Sequence, residues 1–115
     1  MKNLARTNRT IYFTSSRSDR RVILPGEILD YTFAWADVIP SGWHLEDIDS
    51  LSMTGFTAAY GAHTFTANTL TLFPDATGKA VGDTGTMKVG VNIASDDLTQ
   101  SQTLYKSCKL IVSWV

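Results

Sequence analysis

The stretch Leu29-Asp30-Tyr31-Thr32-Phe33-Ala34-Trp35-Ala36 decides the fold. Leu29, Tyr31, Phe33 and Trp35 alternate with smaller or polar residues. Successive side chains of an extended chain point to opposite faces, so this period of two puts four large apolar groups on one side. Pro25-Gly26 before the stretch and Ile39-Pro40-Ser41-Gly42 after it read as turns. The same alternation recurs downstream. Met87, Val89, Val91 and Ile93 alternate with Lys88, Gly90 and Asn92. Beyond a turn at Ser95-Asp96-Asp97, Cys108, Leu110, Val112 and Trp114 alternate with Lys109, Ile111 and Ser113. Leu70 and Leu72 lie in a shorter strand that Pro74-Asp75 closes. Phe65 marks a strand near residues 63–67. Ile48, Leu51 and Met53 mark a middle strand whose register the pattern leaves open. No window carries a sustained helical stripe, and no strands alternate with helices. The expectation is an all-β protein, an immunoglobulin-like antiparallel β-sandwich of about seven strands. Trp35 and Trp114 are the candidates for its buried tryptophan.

The chain has 115 residues, 43% hydrophobic and 18% charged, which fits one globular domain. No run approaches the ~20 apolar residues of a membrane-spanning helix. The segment Met1 to Thr10 lacks the apolar stretch of a secretory signal. The one cysteine, Cys108, has no internal disulfide partner, so assembly in a cytoplasm is expected. The net charge of −1 conceals a division. Residues 1–21 hold Lys2, Arg6, Arg9, Arg17, Arg20 and Arg21 against Asp19, six cations against one acid, or +5. Residues 22–115 hold four lysines against ten acids, or −6. The reading is a basic N-terminal arm, residues 1–21, ahead of an acidic sandwich, residues 22–115. Such an arm can dock on a protein, a nucleic acid or a membrane, or fray into solvent. The β-prone triplet Ile11-Tyr12-Phe13 inside it favours a protein partner, because such a triplet can add to a sheet edge. Nucleic acid is the poorer fit.

Catalytic sets are missing. His44 and His63 are the only histidines, and no His-x-His, His-Glu-x-x-His or Cys-x-x-Cys spacing occurs. His44 near Glu46, Asp47 and Asp49 reads as a solvated acidic turn more readily than as a cation site. Cys108 lies in phase with Leu110 and Val112, as a buried structural thiol does, and no Gly-x-Ser-x-Gly elbow exists. Gly78-Lys79 and Gly82-x-x-Gly85 are turn glycines, not a phosphate loop. The expectation is therefore no enzyme, no metal and no cofactor. Carbohydrate binding is the rival reading. Trp43 and Tyr60 lie in glycine-containing loops, where an aromatic ring can meet a sugar or anchor a protein interface.

The segment Pro25-Gly26-Glu27-Ile28-Leu29-Asp30-Tyr31-Thr32-Phe33-Ala34-Trp35-Ala36-Asp37 resembles the opening of a family of small tailed-bacteriophage virion proteins. In that family an Asp-Tyr-x-x-Asp/Ala-Trp-x-Asp stretch leads an immunoglobulin-like domain of the fibre–tail adaptor type. Two long antiparallel strands at 86–94 and 104–115 add to the likeness. The chain departs from the family in its longer basic arm and in Thr69–Phe73. The resemblance implies a non-catalytic virion structural protein that joins tail or neck to fibre components. It would be a homo-oligomer within the virion, assembled in the host cytoplasm, with other virion proteins as partners. Tyr31, Phe33 and Trp35 would be core, and Asp30 and Asp37 strand-end residues. Capsid decoration and binding of a host glycan are the alternatives. The candidate interface residues are Arg6, Arg9, Ile11, Tyr12, Phe13, Arg17, Arg20, Arg21, Trp43 and Tyr60. The arginines would pair with acids such as Asp47, Asp49, Asp96 and Asp97 of a neighbour.

Overall fold

A computed structural model describes residues 9–13, 19–59 and 64–114. Two four-stranded sheets face one another across a single apolar core. The strands are β1 (Thr10–Tyr12), β2 (Asp19–Ile23), β3 (Tyr31–Ala34), β4 (Trp43–Thr54), β5 (Thr57–Ala58), β6 (Thr64–Phe65), β7 (Thr69–Leu72), β8 (Pro74–Asp75), β9 (Thr84–Ser95) and β10 (Ser101–Val112). One sheet runs β1-β3-β7-β6 and the other β2-β10-β9-β4, with β5 and β8 forming a small ribbon. A 3-10 turn lies at Ala36–Val38. The chain is an all-β sandwich.

The alternating residues build the core. Tyr31, Phe33 and Trp35 are fully buried, as are Met87, Val89, Val91, Ile93, Leu110 and Val112, with Cys108 beside them. β9 and β10 pair without a break from Ala94↔Ser101 to Thr84↔Ile111, so both keep a strict inward and outward alternation. β4 does not. Its register against β9 slips between Leu45 and Asp47 and again between Ile48 and Ser50. Each slip is a bulge that inserts one residue and restores the facing. Leu45, Ile48, Leu51 and Met53 all pack against the core for that reason, at spacings no single period describes.

The first strands correct the division at residues 21 and 22. β1 pairs in parallel with β3, Ile11 opposite Phe33, and β2 pairs in parallel with β10, Asp19 opposite Cys108. Ile11 and Ile23 have no exposed surface. The boundary falls inside β2, and residues 9–13 and 19–23 belong to the sandwich. The triplet adds to a sheet edge as its β-propensity implies, but the edge is that of its own chain. These two parallel pairings also make the sandwich mixed. Trp114 is the second correction. Its ring is 69% exposed. The pairing of β10 with β2 ends at Val112↔Ile23, after which β2 leaves through Leu24-Pro25-Gly26 and no described strand covers the next inward position.

Candidate functional site

Three surfaces hold the residues with chemical potential. The first is the outer edge of β4. This 12-residue strand ends its sheet, and no described strand pairs with its far side. Leu45, Ile48 and Leu51 are half-buried there and line a shallow groove with Glu46, Asp47, Asp49 and Ser50. Glu46 and Asp49 are the residues added by the two bulges. The result is an apolar strip rimmed by three carboxylates along an open strand edge.

The second surface is a cleft where the loop before β4 meets the turn between β9 and β10. Gly42, Trp43, Ser95, Asp96, Asp97, Thr99 and Gln100 line it. Trp43 is half-buried and packs against the core with part of its ring, so it is less open than its loop position implies. His44 Nδ1 lies 2.9 Å from Asp96 Oδ1. Asp97 organises the turn. Its Oδ1 accepts from the Ser95 hydroxyl at 2.7 Å, the Thr99 hydroxyl at 2.7 Å and the Thr99 amide at 3.1 Å. Those hydrogen bonds, the Ser95 hydroxyl first, hold the Asp97 carboxyl down at about 2.

The third surface is the solvent face of β4, β9 and β10. Tyr105 lies across Gly90, where an added Cβ would meet its ring at 2.6 Å. The Tyr105 hydroxyl donates to Asp49 at 2.8 Å, which holds the phenol above its ordinary range. Lys88 Nζ sits 5.1 Å from the ring centroid. One row along, Asn92 donates to Asp47 at 2.7 Å and accepts from Thr103 at 2.6 Å. The ring supplies the packing that the glycine lacks, so this face is held by its own cross-strand bonds.

The interface candidates do not converge. Arg9 pairs with Asp30 at 3.2 Å on the surface. Tyr12 is 49% exposed, and Arg20 is exposed. Phe13 stands edge-on to Trp35 with centroids 5.9 Å apart. Ile11 and Arg21, expected at an interface, are buried in the chain's own body because β1 and β2 are sandwich strands. Arg6, Arg17 and Tyr60 lie outside the described residues.

Sequence reasoning missed a buried ionic cluster. Lys106 is in phase with Leu104, Cys108 and Leu110, which brings a cation to the core side of β10. Its ammonium pairs with Asp19 at 2.5 Å, and Arg21 reaches the same carboxylate at 3.7 Å. Arg21 also donates to the carbonyls of Arg20 at 2.7 Å and Thr10 at 2.9 Å, tying β2 to β1 of the opposite sheet. Its Nε has no hydrogen-bond partner among the described residues. The signal was available in the sequence: a lysine on the apolar phase of a strand needs a buried anion.

Cys108 lies beside this cluster. Burial pushes its thiol up to about 11, outweighing the nearby cation Arg21. His44, paired with Asp96 at the far end of the long strands, is not placed to activate it. We expect Cys108 to resist a disulfide-exchange reagent at pH 8 in the native protein and to react within minutes once the chain is unfolded in denaturant; rapid labelling of the native protein would show the thiol is open. The same shift makes a pH prediction. The unfolded thiol ionises near its ordinary value of 9.0, whereas the native one holds its proton to about 11. Its contribution to stability is thus full below pH 9 and is lost between about pH 9 and 11. Among the described residues no group of three or more His, Cys, Asp or Glu side chains is arranged to hold a metal, and no helix is long and apolar enough to cross a membrane.

No family model matches the chain, and no curated protein matches it. Among solved structures, the solution structure of Amebosin aligns with 90% of this chain and 96% of its own length, at 13% identity and a TM-score of 0.36. A likeness at that level carries no argument about what the chain does.

Proposed function

We propose that the chain is a non-catalytic structural subunit of a tailed-bacteriophage virion, an immunoglobulin-like domain that joins tail or neck to fibre components through protein–protein contacts. The observation that carries the assembly role is the open edge of β4, with its half-buried Leu45, Ile48 and Leu51 between Glu46, Asp47 and Asp49. An exposed strand edge with an apolar strip is a template for another chain. The phage setting comes from the resemblance of residues 25–37. Antibody against the chain should label purified particles of the encoding phage by immunogold microscopy at the tail–fibre junction. Particles free of the protein would end this reading, and label over the head would turn it to capsid decoration.

The cleft at Trp43 supports a second reading, binding of a host glycan. A partly open indole beside Asp96, Thr99 and Gln100 offers a stacking face with hydrogen-bonding groups at its rim. Glycan-array binding that disappears in Trp43→Ala would favour it. An empty array would remove it.

A further inference from the structure

The open edge of β4 discriminates between occupants. Pairing with β4 of a second copy would bring Glu46, Asp47 and Asp49 against their own equivalents, and like charges placed across strands oppose pairing. A cationic strand meets no such barrier. The segment ahead of β1, Met1-Lys2-Asn3-Leu4-Ala5-Arg6-Thr7-Asn8, has that character. In extended form Lys2 and Arg6 share one face, two cations four residues apart. The edge of β4 offers the complement to the two cations on its solvent face, the carboxylates of Glu46, Asp47 and Asp49.

Reach decides whose segment it is. β1 lies over β2, as the bond from Arg21 to the Thr10 carbonyl shows. β2 and β4 are the opposite edges of one four-stranded sheet. Eight residues span at most roughly 28 Å. Crossing the sheet from β1, at about 4.8 Å per strand, and passing round its face would leave too few residues to pair along β4. A neighbouring molecule can present the same segment with no such detour.

We propose that the β4 edge of one copy receives residues 2–7 of a second copy as an added strand, with Lys2 and Arg6 on the solvent face against Glu46, Asp47 and Asp49. Donor and acceptor are different surfaces, so the contact is head to tail and builds a ring or a filament rather than a two-fold dimer. This inference rests on the assembly reading above.

The test is sedimentation velocity on the full-length protein at low and high salt, with circular dichroism to confirm folding of each variant. Wild-type protein should self-associate at low salt and weaken as salt rises. Lys2→Glu with Arg6→Glu should weaken association by about 100-fold, and Glu46→Lys with Asp49→Lys should do the same. All four substitutions in one chain should restore it, because the charges again oppose. Association unchanged in either pair of variants, a loss that the four-fold swap does not rescue, or a gain in Glu46→Lys with Asp49→Lys would overturn the pairing. So would a wild-type protein that is monomeric throughout. In each of those cases the immunogold result judges the virion role independently.

Discussion

Replacing Trp35 by alanine is expected to cost about 3–5 kcal/mol, the range for emptying a fully buried aromatic site. Trp35 has no exposed surface. Its indole N–H donates to the Ala67 carbonyl at 2.8 Å, its backbone N–H donates to the Asn68 carbonyl at 3.0 Å, and Phe13 packs edge-on against its ring. One side chain therefore ties the end of β3 to the residues before β7 and to those after β1. Domains of this size are stable by about 5–15 kcal/mol, so Trp35→Ala should remove a large part of the total. Trp35→Phe keeps the apolar bulk and leaves the Ala67 carbonyl without its donor, at about 1–3 kcal/mol. Urea denaturation of the three proteins gives the order: wild type, then Trp35→Phe, then Trp35→Ala. Equal midpoints for wild type and Trp35→Ala would mean that the tryptophan is not the centre of the core.

The second large effect is expected at Asp19. Its carboxylate and the Lys106 ammonium are 11% and 6% exposed. Asp19→Asn takes the counter-charge from Lys106 and Arg21 while both stay inside, and breaking a buried pair from one side costs about 3–5 kcal/mol. Removing both charges is a different matter. Asp19→Leu with Lys106→Met spares the burial of two ions but leaves Arg21 without its carboxylate, so part of the lost stability should return. A double-mutant cycle on denaturation free energies measures the coupling directly. If the double variant is as unstable as the sum of the singles, the two groups do not act as a pair.

These two sites mark where the sequence was legible and where it was not. Tyr31, Phe33 and Trp35, and the long runs of β9 and β10, obey a period of two because each is paired along its whole length with one face on the core. β4 hid its register because two bulges turn that period into steps of three at Leu45, Ile48 and Leu51. β2 hid entirely. Asp19, Arg20 and Arg21 read as part of a charged arm, although Asp19 and Arg21 face inward as one another's neighbours in a buried ionic cluster. Charge alone does not show whether a group meets water or an opposite charge. Trp114 failed in the other direction, since an apolar phase can run past the point where a neighbouring strand stops. The open edge of β4 is a property of sheet order, and sheet order is fixed by contacts between distant residues that local pattern does not encode.

The parallel pairing of β2 with β10 joins the beginning of the described chain to its end. During synthesis β2 emerges from the ribosome long before its partner exists. Until Cys108 to Val112 follow, Val22 and Ile23 have no sheet to join, and β1 can find β3 but cannot be locked by Arg21 into a closed sandwich. Completion of the fold therefore waits until β10 has been made. Sheets closed by such long-range contacts fold slowly, on the scale of milliseconds to seconds. Over that interval the strand edges stay available to neighbouring chains on the same polysome, which sets a limit on how fast the protein can be made without aggregating.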